Sequence, residues 1–173
     1  MSPTDALVAA IERGPDIVIP LVRQCHPTIL KRRPAPGVWS IHENACHLAE
    51  VHPLFFRRLD LMLAETDPVI VSYDPGRDDP DDALLKLDLD DAMGRFAADR
   101  ARLVARLRGL RPDDWRRTAR HQEYNAYSVL IMFRHLALHD FEHAYQIEDL
   151  MLRKDWPPPS PEDRKSTRLN SSH

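Results

Sequence analysis

Apolar residues recur at steps of three and four along four separate stretches of this chain, and no stretch alternates long enough to face a sheet. That period leaves amphipathic helices as the building material. The first stretch offers Ser2 as N-cap, Pro3 at the first helical position and Asp5 in the first turn, then Leu7, Ile11, Val18, Leu21 and Cys25 in one phase. Gly14, Pro15 and Pro20 interrupt it, so a kinked or broken helix is expected. Residues 27–38 read as a connector. A second helix opens on the capping box Ser40–Glu43 and carries Ile41, Ala45, Leu48, Val51, Phe55, Leu59 and Met62 to about Ala64. Residues 66–82 read as a loop, with Val69, Ile70 and Val71 as a short extended piece.

A third helix, capped near Asp88 or Asp90, presents Leu89, Met93, Phe96, Leu103, Leu107 and Leu110 and ends at Pro112. Arg100 fills the gap in its stripe. A turn holding Trp115 and His121 leads to a fourth helix, from about Ser128 to Arg153. Four such helices in 173 residues read as one all-α four-helix bundle. Residues 163–173 are set apart. They read as the frame translation of a common sequencing adapter over all eleven positions, so residues 1–162 are taken as the domain and 163–173 as a non-native tail, with the native C-terminus left open.

Charge narrows the function. The formal net charge is -3, and leaving out the tail's three basic residues and one acid takes it to about -5, which argues against a nucleic-acid binder. No apolar run is long enough for a membrane span, and residues 1–14 lack a signal-peptide core. With only Cys25 and Cys46 there is no disulfide framework, and the cytoplasm is the expected compartment. No glycine-rich phosphate loop is present.

The fourth helix carries the chemistry. Its stripe of Met132, Leu136, Ile147 and Leu150 is bridged by His139 and His143, four residues apart on the face expected to be core. Two neutral rings buried together need partners for their nitrogens, either a divalent metal or carboxylates on other helices. His47, at the edge of the second stripe, would add a third ligand and leave open positions, the pattern of catalytic zinc. His135, one turn before His139, reads as a neighbour of the site or a boundary residue. His42 and His52 read as solvated. Cys46 reads as a small core residue. Arg100, a cation on a core face, calls for a carboxylate on helix two or four, or a bound anion.

Three segments together resemble the DinB-like family, which includes bacillithiol S-transferases. They are Trp39-Ser40-Ile41-His42-Glu43-Asn44-Ala45-Cys46-His47-Leu48-Ala49-Glu50, the stretch from His121 through Asn125 and Ser128 to Val129, and His139-Asp140-Phe141-Glu142-His143-Ala144-Tyr145-Gln146-Ile147. The resemblance spans nearly the whole of residues 1–162. It implies a bundle of that type with His47, His139 and His143 as metal ligands. Asn125 stands where the family commonly has Gly. The implied activity is metal-dependent transfer of a low-molecular-weight thiol to a small electrophile, with Zn or Ni as the ion and Arg100, His135 and Glu142 as supporting or substrate-facing residues. A hydrolase, a non-catalytic metal-binding or stress-associated bundle, and a metal-free bundle with polar core histidines are the rival readings. A homodimer through the outer face of two helices is also open.

Overall fold

The computed structural model describes residues 2–156; the tail reading lies outside the described residues. The first stretch is broken as expected, into α1 (Pro3–Glu12) and α2 (Gly14–Arg23). Ser2 and Asp5 close a capping box on α1, and Pro15 stands in the first turn of α2, where its missing N–H costs nothing. Gly14 sits at the break for a steric reason. A Cβ there would overlap Asp140 Oδ2 and lie 2.6 Å from Arg100 Nη1. Pro20, by contrast, is carried inside α2 without ending it. Part of the expected connector forms the single turn α3 (Pro27–Leu30).

The second stripe is two helices rather than one, α4 (Ile41–Glu50) and α5 (His52–Ala64). Pro53 supplies no N–H to the Ala49 carbonyl, and the amides of Leu54 and Phe55 both turn back to Val51 O, at 3.1 and 3.2 Å. Phe55 keeps the i+4 step from Val51 across the break, so the apolar phase hides it. At the start of α4, Glu43 closes the box with Ser40 and receives the Arg33 guanidinium, pinning the connector to the helix.

Beyond α5 come β1 (Val69–Ile70), α6 (Pro75–Asp78) and a 3₁₀ turn at Leu84–Lys86. Asp88 caps α7 (Leu89–Arg108). Pro112 does not end that helix; α7 stops at Gly109, and Pro112 opens the short α8 (Pro112–Arg116), where a proline is tolerated at the first position. β2 (Arg120–His121) pairs in parallel with β1, Val69 against Arg120 and Ile70 against His121. Ser128 caps α9 (Val129–Leu152).

The molecule is a four-helix bundle of α1–α2, α4–α5, α7 and α9, with α4 packed against α7 and α9. Its interior consists of two apolar clusters. One gathers Leu59, Leu103, Met132 and Phe133, the other Ile41, Leu48, Phe96 and Ile147. Between them lies a polar layer. Arg100 is 1% exposed, donates to both oxygens of Asp140, to the Ile11 carbonyl and, at 3.1 Å, to His52 Nε2, and lies over the Phe96 ring. A guanidinium with this many partners is satisfied despite its burial.

Two sequence expectations fail here. His42 and His52 are buried, not solvated. His42 Nε2 lies 3.1 Å from the Leu84 carbonyl and 3.5 Å from Cys46 Sγ, because the 3₁₀ turn folds over the face of α4 that a four-helix pattern leaves open. His52 is enclosed by Arg100. Among the described residues no helix is long and apolar enough to cross a membrane.

Candidate metal centre

His47 comes from α4, and His139 and His143 from successive turns of α9. The Nε2 of His139 is 3.0 Å from that of His47 and 3.1 Å from that of His143. The ligand atoms of all three lie within 4.8 Å of one another. His47 and His143 are each 6% exposed, and His139 is partly buried. The Trp39 ring covers them, 4.9 Å from the His47 ring and 6.0 Å from that of His143.

The electrostatics keep these rings neutral. Burial, with the neighbouring His139 and His143, holds His47 down to about 2; burial and His139 hold His143 to about 3; burial and the Arg100 charge hold His139 to about 4. Asn44 sets the orientation of one ring. Its Nδ2 donates to the Ser40 carbonyl at 2.8 Å, which turns its Oδ1 toward His143 Nδ1 at 2.7 Å. The proton of His143 is then on Nδ1 and the Nε2 lone pair points inward. His139 Nδ1 is buried without a partner among the described residues.

Neutral imidazoles with nitrogens 3.0–3.1 Å apart form a donor set that suits a divalent ion, since nitrogens about 2.0–2.1 Å from one tetrahedral zinc stand about 3.3 Å from each other, a few tenths of an ångström away. A ring nitrogen held from outside by an amide oxygen, as in His143, is the usual support of a ligating histidine. Metal-ligand chemistry fits the residues present.

Two clefts meet at the triad, and His47, His139 and Glu142 border both. One, of about 410 Å³, is walled by Phe55, Arg58, Tyr73, His121, Tyr124 and Tyr127. The other, of about 670 Å³, is lined by Trp39, Asn44, Gln146, Asp149 and Arg153. The β1–β2 ladder and the loop ahead of α6 bring Tyr73 and His121 to the first of these.

The remaining candidates from the sequence are placed as follows. Glu142 is exposed at the rim and accepts a 3.4 Å hydrogen bond from Gln146. His135 stands in the aromatic wall, its ring 5.2 Å from that of Tyr124. Arg100 lines neither cleft; it is bound to Asp140 behind His139 and reaches the site only through its charge. Asn44, Asp140 and Arg58 were not picked out from sequence. Asp140 had a signal, since it continues the phase of Leu136 toward Ile147, and Asn44 lies one turn before His47 on a helix buried on all sides.

A family model described as the DinB superfamily matches residues 10–147. A protein of Oceanobacillus iheyensis, OB0782, whose name provisionally makes it a metal-dependent hydrolase, is 31% identical over 120 residues, 69% of each chain. Among solved structures, YfiT from Bacillus subtilis, described as a probable metal-dependent hydrolase with an unusual four-helix bundle topology, superposes with a TM-score of 0.75 at 22% identity, covering 91% of each chain. TT2238, described as a four-helix bundle protein, superposes at 0.61 with 19% identity, over 84% of this chain and 98% of its own. At these identities the two structures speak for the fold alone.

Proposed function

The chain belongs to the DinB superfamily, and from that premise we propose that it is a metal-dependent enzyme that transfers a low-molecular-weight thiol to a small electrophile. His47, His139 and His143 would hold one divalent ion, zinc or nickel. The observation that carries this reading is the convergence of three neutral histidine nitrogens where two clefts meet. A divalent ion held there supplies a Lewis acid that makes a thiol or a water nucleophilic near neutral pH.

The chain's own residues do the rest. Asn44 fixes the tautomer of His143, so that its Nε2 is free to ligate. Trp39 packs against the rings of His47 and His143 and so limits their movement. The Arg100–Asp140 layer holds α9 against α1 and α7, fixing the height of His139. The larger cleft, lined by Asn44, Gln146, Asp149 and Arg153, suits a polar thiol with several hydrogen-bonding groups. The smaller cleft, walled by aromatic rings with Arg58 among them, suits a flat acceptor. Two organic reactants need two subsites, whereas hydrolysis needs one and water, so the paired clefts favour transfer.

Hydrolysis is the second reading, favoured by the names of the relatives and by Glu142 at the rim as a carboxylate that could take a proton. Metal analysis of the purified protein, followed by a screen of low-molecular-weight thiols with a chlorinated electrophile, separates the two. Thiol-dependent loss of the electrophile supports transfer. Loss of an ester or amide substrate without thiol supports hydrolysis. A bound ion with neither activity returns the molecule to the non-catalytic metal-binding class.

A further inference from the structure

The aromatic cleft holds a charge that the histidine triad does not explain. Arg58 of α5 is partly buried in its wall. Its Nη2 donates to the Val71 carbonyl at 2.7 Å, and its guanidinium adjoins the Tyr127 hydroxyl, so its partners among the described residues are neutral. Other arginines of the bundle meet acids, as Arg33 does Glu43 and Arg95 does Glu50, whereas Arg58, like Arg117 on the carbonyls of Met62 and Glu65, is held by neutral groups, and of these two only Arg58 lines the cleft. A half-buried guanidinium anchored by one carbonyl keeps most of its five donors for something else.

Next to it is a shelf of rings. Tyr124 and Tyr127 lie 4° from parallel with centroids 6.2 Å apart, and the His121 ring is 4.7 and 4.6 Å from them, tilted by 34° and 35°; Tyr124 and His121 give the open faces, and the buried Tyr127 backs them. His135 closes the edge against Tyr124. Burial and the Arg58 charge both push the His121 imidazole below its ordinary range. Glu123 and Glu142 also line the cleft, and both are exposed.

We propose that Arg58 and the Tyr124–His121–Tyr127 shelf form a recognition site for a flat apolar or aromatic molecule bearing one carboxylate. The carboxylate pairs with the guanidinium, the ring lies on the shelf, and the far end of the molecule points toward His47 and His139, which border the same cleft. That this ligand is the acceptor substrate rests on the transferase reading above; its binding does not, since Arg58 and the shelf need no ion at the histidines.

The test is therefore made on chelator-treated protein. Titration with 1-naphthylacetate and with 1-naphthylacetamide compares one ring system with and without a charge. The acid is expected to bind about tenfold more tightly than the amide, the effect of one charge-assisted contact. Arg58→Gln is expected to abolish that preference, with helical circular dichroism showing that the variant is folded. Arg58→Lys, which keeps charge and stem but loses the planar fork, is expected to reduce it, and Tyr124→Ala is expected to weaken both probes. Equal affinity of acid and amide for the unaltered protein, binding of neither, or a preference that survives undiminished in both Arg58 variants overturns the assignment. A failed thiol screen with the acid preference intact counts against the transferase and not against this site. Absence of the preference in the unaltered protein counts against this site alone.

Discussion

A buried imidazole has two nitrogens to satisfy, and at this site the outer one is handled differently in each ring. His143 donates its Nδ1–H to Asn44 Oδ1, whereas His139 Nδ1 has no partner among the described residues. The orienting amide should therefore matter to metal affinity more than to stability. Asn44→Ala is expected to weaken divalent-ion binding about 10–100-fold, as removal of such a support usually does, with the helical circular dichroism unchanged. Competition titration against a chelating dye measures it; unchanged affinity would show that His143 is oriented by packing alone. The depressed pKa values make a second prediction. In the unfolded chain these histidines titrate near about 6.5. In the folded one His47, His143 and His139 stay neutral down to about 2, 3 and 4, and His52, held down by burial and by Arg100, to about 4. The unfolded state therefore binds more protons between these limits, so stability is fully present above the unfolded value and is lost progressively as pH falls from there, through about 4 for His139 and His52 and on to about 2 for His47. Urea midpoints of the metal-free protein should be level from pH 8 to 7 and decline steadily from 6.5 to 5. A flat profile over that lower range would contradict the burial of these rings.

Element by element, the caps and stripes were readable because they are local. Ser2, Ser40, Asp88 and Ser128 each cap the helix their position announces. The break at Val51 escaped because the apolar step from Val51 to Phe55 survives it, and the burial of His42 and His52 escaped because what covers them comes from the 3₁₀ turn and from α7, both distant in the chain. His139 and His143 were legible by spacing, and His47 mainly through family resemblance. Arg58 was not, since its cleft is assembled from α5, the loop after β1, the segment after β2 and α9. Gly14 also belongs here, as the residue that lets α2 start against the Arg100–Asp140 pair. Gly14→Ala, at a site where a helix would ordinarily welcome alanine, is expected to destabilise by about 1–3 kcal/mol because the added methyl displaces that pair. Chemical denaturation measures it, and a neutral or stabilising result would mean that the pair can shift without cost.

For the whole molecule, two apolar clusters and the polar layer between them hold the bundle together independently of the histidine centre. Removing an ion should lower the melting temperature by the linkage term alone and leave the helix content intact. Removing Asp140 should do more. Asp140→Ala leaves a buried guanidinium short of its anion and is expected to cost about 3–5 kcal/mol, measured by the same denaturation. The central claim, that His47, His139 and His143 together hold one ion, is tested most directly by metal content per chain in the unaltered protein and in His47→Ala, His139→Ala and His143→Ala, each checked for helical content. One equivalent of zinc or nickel in the unaltered protein, falling sharply in every folded variant, is the predicted result. Stoichiometric metal retained in His47→Ala and His143→Ala would contradict it.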